Sequence, residues 1–178
     1  NWLFTARGIP VIYYGSETGF MRGKAEHQGN RNYYGQERID AGVSSPIYSN
    51  LKRIAQIRRE NPALQRGLQL NLLLDGKRAA FYRVYQHGES AQTALVLLNK
   101  GSKPAKFSFS EKQLQAGGWK SAISGNTYSI DSVKPSFKTE VPANGVEVLL
   151  FEGTLSSPAL LTELNRLQAG KVRRTSGG

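Results

Sequence analysis

The sequence contains no cysteine, which excludes disulfides, thiolate metal sites and a cysteine nucleophile. That absence assigns no compartment, because secreted proteins also do without the residue. No apolar run approaches the roughly 18 residues that a membrane-spanning helix needs. Dense basic runs are missing too: nowhere do five Lys or Arg residues follow one another. The chain opens without a basic segment leading into a long apolar one, so no signal peptide is expected there. Its nineteen glycines follow no three-residue period, which excludes collagen. What is present is an apolar share of 39%, too high for a wholly disordered chain. A length of 178 residues suits one domain, or one domain with an appendage.

The formal charge is +11, from 24 basic and 13 acidic side chains. Such an excess raises nucleic-acid binding as a hypothesis. Its distribution argues the other way: residues 1–66, 67–153 and 154–178 carry net +5, +3 and +3. The densest spots are Arg58-Arg59 and the stretch 171–174. This is the pattern of a scattered, solvated surface, without the aromatic-basic signature or basic stripe of a nucleic-acid binder.

The chain begins Asn1-Trp2-Leu3-Phe4, which reads as the last turn of an apolar helix, with Gly8 as its stop. Next comes Pro10-Val11-Ile12-Tyr13-Tyr14-Gly15, a short apolar run without alternation. It reads as a strand buried on both faces, as in a parallel α/β sheet. One parallel strand is not stable alone, so its neighbours are expected from elsewhere. Residues 15–45 are polar and glycine-rich, and a loop of that length is usually functional or disordered. A helix is predicted from Pro46 to Glu60, capped by Ser45, with Pro46 at its first position. Ile47, Leu51, Ile54, Ala55 and Ile57 form its apolar stripe. Asn61-Pro62 ends it, because the residue before proline resists helical backbone.

Beyond residue 65 the hydrophobic period changes to two. Strands are predicted over 68–74, 79–85, 93–98, 106–109, 119–123 and 146–151. Asp75-Gly76 is a strong hairpin signal and His87-Gly88 a weaker one. Six or seven short strands separated by turn residues imply an antiparallel Greek-key β-sandwich over residues 65–153. Residues 154–178 read as a tail with a short helix near 158–167 and a flexible basic end.

These residues carry a resemblance. Arg7-Gly8-Ile9-Pro10-Val11-Ile12-Tyr13-Tyr14-Gly15-Ser16-Glu17 is similar to the last barrel strand of the α-amylase family of glycoside hydrolases. Four further pieces agree in order and spacing. Met21-Arg22-Gly23 to Asn30-Arg31 resembles the loop after that strand in cyclodextrin glucanotransferases and cyclomaltodextrinases. Ile57-Arg58-Arg59-Glu60-Asn61-Pro62-Ala63-Leu64 with Gly67 resembles the end of the last barrel helix. Ala94-Leu95-Val96-Leu97-Leu98-Asn99 and Val141-Pro142-Ala143-Asn144-Gly145-Val146-Glu147-Val148-Leu149 resemble strands of the family's C-terminal domain. The resemblance implies an α/β part followed by an all-β part. Residues 1–64 would be the last strand, a long loop and the last helix of a (β/α)8 barrel, and 65–153 the C-terminal β-domain.

It also implies where the chemistry lies. A retaining glycosidase uses two carboxylates about 5 Å apart, one as nucleophile and one as acid. The family's three catalytic carboxylates follow earlier barrel strands, so all three are expected upstream of Asn1 and none in this chain. The expected partners are the amino-terminal barrel portion of the same enzyme and an α-glucan, with no nucleic acid and no membrane. No cofactor is expected in this chain; the family's calcium sites would also lie upstream. Arg31 matches an arginine that holds glucose units on the donor side of the cleavage point. A guanidinium suits vicinal hydroxyls because its fixed fork donates several hydrogen bonds. The acidic partner of that arginine falls on His27, with Glu26 beside it and Asn30 next to Arg31. Arg31 pairing with Glu17 or Asp40 to pin the loop is the other reading. Tyr33 and Tyr34 either stack on a sugar or pack the loop. A non-catalytic basic β-domain that binds carbohydrate or nucleic acid is the alternative for the whole chain.

Overall fold

The computed structural model describes residues 1–19, 35–110 and 114–175. Its β-architecture grows from two tight turns. Leu68–Leu74 (β1) and Arg78–His87 (β2) pair antiparallel across Asp75-Gly76, with Leu74 opposite Ala79. The Asp75 carboxylate accepts from the backbone N–H groups of Lys77 and Arg78, at 3.1 and 2.8 Å, which closes the turn. Ser90–Asn99 (β3) returns beside β2 through Gly88-Glu89, with His87 opposite Ser90. Gly88 sits at φ 57°, the left-handed conformation that such a two-residue turn requires.

The remaining strands are Ala105–Phe109 (β4), Gly117–Ser121 (β5), Thr127–Ile130 (β6), Phe137–Val141 (β7) and Val146–Glu152 (β8). Among the described residues they form a six-stranded sheet in the order β1-β2-β3-β8-β5-β6 and a two-stranded sheet β4-β7. Every pair is antiparallel. β6 and β7 lie outside the predicted strands because 127–141 offers few apolar residues and carries no strong alternation.

The central strands are buried on both faces. Ala80, Tyr82, Leu95, Leu97 and Leu149 enter one core; Ala79, Phe81, Ala94, Val96, Leu98 and Val148 enter another. Strict alternation follows from the pleat, which sends successive side chains to opposite faces. The first face is covered by β4-β7, Trp119 and the chain's last helix. The second is covered by Trp2–Thr5 (α1), Pro46–Glu60 (α3) and Pro62–Arg66 (α4), through Phe4, Ile54, Ile57, Ala63 and Leu64. The core on that face therefore joins residues on both sides of position 65.

Helix α3 has the bounds and cap expected of it. Ser45 Oγ accepts from Tyr48 N at 3.1 Å, and Pro46 opens the first turn. The polar stretch before it contains a further helix, Gln36–Val43 (α2), which the sequence hides because its apolar residues Ile39 and Val43 stay exposed. Residues 10–14 form no strand: they have no ladder partner among the described residues, and the chain turns at Tyr14-Gly15, where Ser16 N donates to Tyr13 O at 3.1 Å. Val11 is 77% exposed and Ile9 89%.

The last helix corrects the reading of the tail. Pro158–Thr175 (α5) runs for 18 residues, far longer than a short helix. Leu155, Leu160 and Leu164 are buried in the first core, which is what holds it. Gln115 fixes its entry, since its Oε1 accepts from Ser156 N and Ser157 N at 2.8 and 3.0 Å. The layer facing the large sheet thus consists of two strands and a helix.

Candidate functional site

The four residues assigned to sugar contact, Glu26, His27, Asn30 and Arg31, lie outside the described residues, as do Tyr33 and Tyr34. The geometry of the segment that leads into them is described. It starts from a buried pair of arginines.

Arg58 projects from the last turn of α3. Its Nη1 donates to Phe4 O and Ala6 O at 3.0 and 3.1 Å, and its Nη2 to Gly8 O at 2.6 Å. Arg83, on β2, is 1% exposed. It donates through Nη1 to Thr5 O at 2.8 Å, and through Nε and Nη2 to Gly67 O at 3.2 and 3.1 Å. Successive carbonyls from residue 4 to 6, and that of Gly8, are therefore tied to α3 and β2. Burial lowers the pKa of both guanidinium groups. For Arg83 burial leads, with the positive charges of Arg58 and Arg7 adding, and the value falls to about 10. Neither arginine has a carboxylate partner among the described residues. Carbonyl dipoles carry the compensation that an isolated buried cation requires.

A second network locks the corner below this clamp. Gln92 Nε2 donates to Asn61 Oδ1 at 3.0 Å and to Glu152 Oε1 at 2.7 Å, while Gln92 Oε1 accepts from Ala63 N. Gly67 then passes so close to α4 that a Cβ there would lie 2.4 Å from Ala63 O. Downstream, Asn99 Nδ2 donates to Val141 O and Pro142 O, and its Oδ1 accepts from Gly101 N at 2.8 Å. The motif residues Arg58, Asn61 and Asn99 thus act as joints.

From this anchor the chain runs out through residues 9–14 to a turn of 3-10 helix, Ser16–Thr18, entered at Gly15 (φ 84°) and left at Gly19 (φ 69°). Gly19 packs on α3: an added Cβ would meet Ile47 Cδ1 at 2.8 Å. Glu17 is half-buried in this turn, and Asp40, on α2, accepts from Gln36 Nε2 at 2.8 Å. Ser16 and Ile47 line a cleft of about 650 Å³ with Asn50, Arg53, Glu140 and Glu147. Arg53 donates to Ile123 O, and Glu147 accepts from Ser121 Oγ at 2.6 Å. Tyr13 and Tyr14 are half-exposed, with ring centroids 5.1 Å apart, so neither is core here. Among the described residues no three His, Asp or Glu side chains form a metal-holding group.

The sequence reading missed the clamp. Arg58 stands out in the sequence only as part of a charged pair within a family motif, and Arg83, in the predicted strand 79–85, does not stand out at all. The available signal was a lone arginine flanked on both sides by apolar strand residues, a position that demands buried partners.

No family model matches the chain. It is similar to an alpha-amylase of Streptomyces lividans, with 29% identity over 88% of this chain and 19% of that enzyme. It is also similar to a cyclomaltodextrinase of Thermoanaerobacter pseudethanolicus, with 35% identity over 56% of this chain and 16% of the relative. Among solved structures, the alpha-amylase of Geobacillus thermoleovorans complexed with acarbose matches at TM-score 0.68 and 25% identity, over 86% of this chain and 32% of that one. The cyclomaltodextrin glucanotransferase CldA shares the fold at TM-score 0.60 and 22% identity, over 86% of this chain and 31% of its own. The chain spans about a fifth or less of the length of the curated relatives it matches.

Proposed function

Because the chain carries the sequence pattern and fold of the α-amylase family of glycoside hydrolases, we propose that it is the carboxy-terminal part of a retaining enzyme that acts on α-1,4-glucans. In this reading residues 10–15 are the last strand of a parallel barrel. The observation that carries it is the state of that segment: apolar, exposed, without a ladder partner among the described residues, and led in by residues 4–8, whose carbonyls Arg58 and Arg83 hold. A run buried on both faces is the norm in a parallel sheet. Displayed without ladder partners it is a docking edge. The amino-terminal barrel portion of the same enzyme is the partner that fits it.

The clamp then has a functional purpose. Loops at the carboxyl ends of barrel strands build the site, and residues 15–35 would be such a loop. Holding residues 4–8 sets where that loop leaves the strand. Arg31, with Asn30, His27 and Glu26, would reach the glucose units on the donor side. The catalytic carboxylates would come from the upstream portion, and this chain alone would not turn over substrate.

The test is reconstitution. The 178-residue chain is assayed on maltoheptaose alone and then joined to the amino-terminal portion, with and without Arg31→Ala. No turnover alone, turnover when joined, and a weakened use of oligosaccharides by the variant are expected. Turnover by the chain alone, or unchanged kinetics of the variant, would overturn the assignment. Steeply salt-dependent binding of DNA with no glucan turnover would favour the basic-domain alternative.

A further inference from the structure

A second cleft lies where the amino-terminal segment, the start of β1 and helix α5 meet. It measures about 430 Å³ and is lined by Arg7, Arg66, Arg83 and Arg166, with Leu68 and Leu167 as apolar walls. Four arginines from four separate parts of the chain line it, the first three beside the amino-terminal segment and β1 and β2, the last on α5.

The local acid supply does not match them. Arg166 Nε is bonded to Glu163 at 2.9 Å. Among the described residues, Arg7, Arg66 and Arg83 have no carboxylate within ion-pair distance. The amides at the cleft are already occupied: Gln65 Nε2 donates to Arg59 O, and Gln69 bonds Arg7 N and Asn71. Arg83 has five N–H donors and uses three, on Thr5 O and Gly67 O. Burial and, after it, the positive charges of Arg58 and Arg7 beside it lower its pKa. The cleft is therefore a concave site lined by four arginines, with the exposed side chains of Arg7, Arg66 and Arg166 at its rim.

We propose that this cleft binds an oxyanion of the phosphate class. Arginine forks match the geometry of phosphate oxygens and bond them in pairs. An anion here would relieve the repulsion among the four cations and bridge helix α5 to the amino-terminal segment. The residues that line it are none of those proposed to contact sugar, and the proposal does not depend on the enzymatic reading above.

Inorganic phosphate is the probe. It is titrated calorimetrically into the 178-residue chain, and thermal unfolding is followed in phosphate and in sodium chloride of equal ionic strength. Saturable binding at one site per chain is expected, with stabilisation by phosphate beyond that by chloride. Arg66→Ala and Arg166→Ala remove exposed side chains, so each should keep the fold and weaken phosphate binding about tenfold. Lys134→Ala, outside the cleft, should leave it unchanged. Equal stabilisation by chloride, or binding that survives both arginine substitutions, would overturn the proposal. If one variant melts early, the other, on a different element, tests the same cleft.

Discussion

The two faces of the six-stranded sheet are closed by different means. One is sealed by β4, β7 and α5, with aromatic side chains at its centre: Tyr82, Phe107, Trp119 and Phe137. The other is sealed by α1, α3 and α4, with mostly smaller residues of the sheet beneath them: Ala79, Ala94, Val96 and Val148. Behind the second lies a segment whose own outer side is apolar and exposed. The difference teaches that the first face is closed by strands and a helix, while the second is closed by helices whose leading segment is tied down by two buried arginines; on the reading proposed above, that second face is the joint to further structure. The two tryptophans report on them separately: Trp119 is in the first core, and Trp2 lies edge-on to Phe81 at 5.5 Å on the second face.

The comparison breaks most completely if the first face does not need α5. A chain ending at Gly153 loses Leu155, Leu160 and Leu164, all buried. Such a truncation is expected to lose cooperative unfolding altogether, seen as a broad transition in circular dichroism. A sharp transition at the parent temperature would make α5 an ornament. Leu160→Ala is the graded form: about 3 kcal/mol of stability should disappear, as for other buried leucines. Its chemical denaturation should shift the Trp119 signal.

The second face should respond to the clamp. Arg83→Met leaves Thr5 O and Gly67 O without their donor, and an unsatisfied buried carbonyl costs about 1–3 kcal/mol. The midpoint of that range should be lost, with Trp2 becoming more accessible to a quencher while Trp119 stays protected. Equal changes at both tryptophans would mean that the faces form one cooperative unit and that the joint is not separable. Ser45→Ala removes the α3 cap bond to Tyr48 N and should cost about 1 kcal/mol, again on the Trp2 side.

These two faces were unequally legible in the sequence. The strands of the first were readable because alternation and the Asp75-Gly76 and His87-Gly88 turns act locally. Helix α3 was readable because Ser45, Pro46 and Asn61-Pro62 punctuate it. The double burial of β2, β3 and β8 was not, because Phe81 and Arg83 resemble the polar-facing half of an ordinary alternating strand until the helices that cover them are known. The length of α5 was hidden by its polar composition, and only the contacts of Leu160 and Leu164 reveal its docking. Arg58 and Arg83 were opaque for a related reason: their partners are backbone carbonyls, which carry no sequence signal. The family motifs located Arg58, Asn61 and Asn99, while their structural roles emerge only from the hydrogen bonds.

The smallest effect is expected at the turn that both faces share. Asp75 accepts from Arg78 Nε at 2.9 Å and from two backbone N–H groups. The Arg78 side-chain bond leads in holding its carboxyl below the ordinary 3.8, with the two backbone bonds adding. A carboxyl depressed in the folded state stabilises it at pH above the unfolded value. That contribution fades as pH falls through the lower folded value. Stability should therefore decline below about pH 3.8 in part through Asp75, and Asp75→Asn should flatten that decline while slightly lowering stability at neutral pH. Asp131 caps the turn before β7 through Val133 N and Lys134 N, so it contributes in the same direction and Asp75→Asn will not remove the decline entirely. The carboxyl carbon chemical shift of Asp75, followed by NMR from neutral to strongly acidic pH, gives the direct measurement. A midpoint at or above 3.8 would show that the Arg78 bond does not close this turn in solution. Since β2, which this turn opens, borders both cores, the accompanying loss should appear at Trp2 and Trp119 alike, in contrast to the one-sided effects of Arg83 and Ser45.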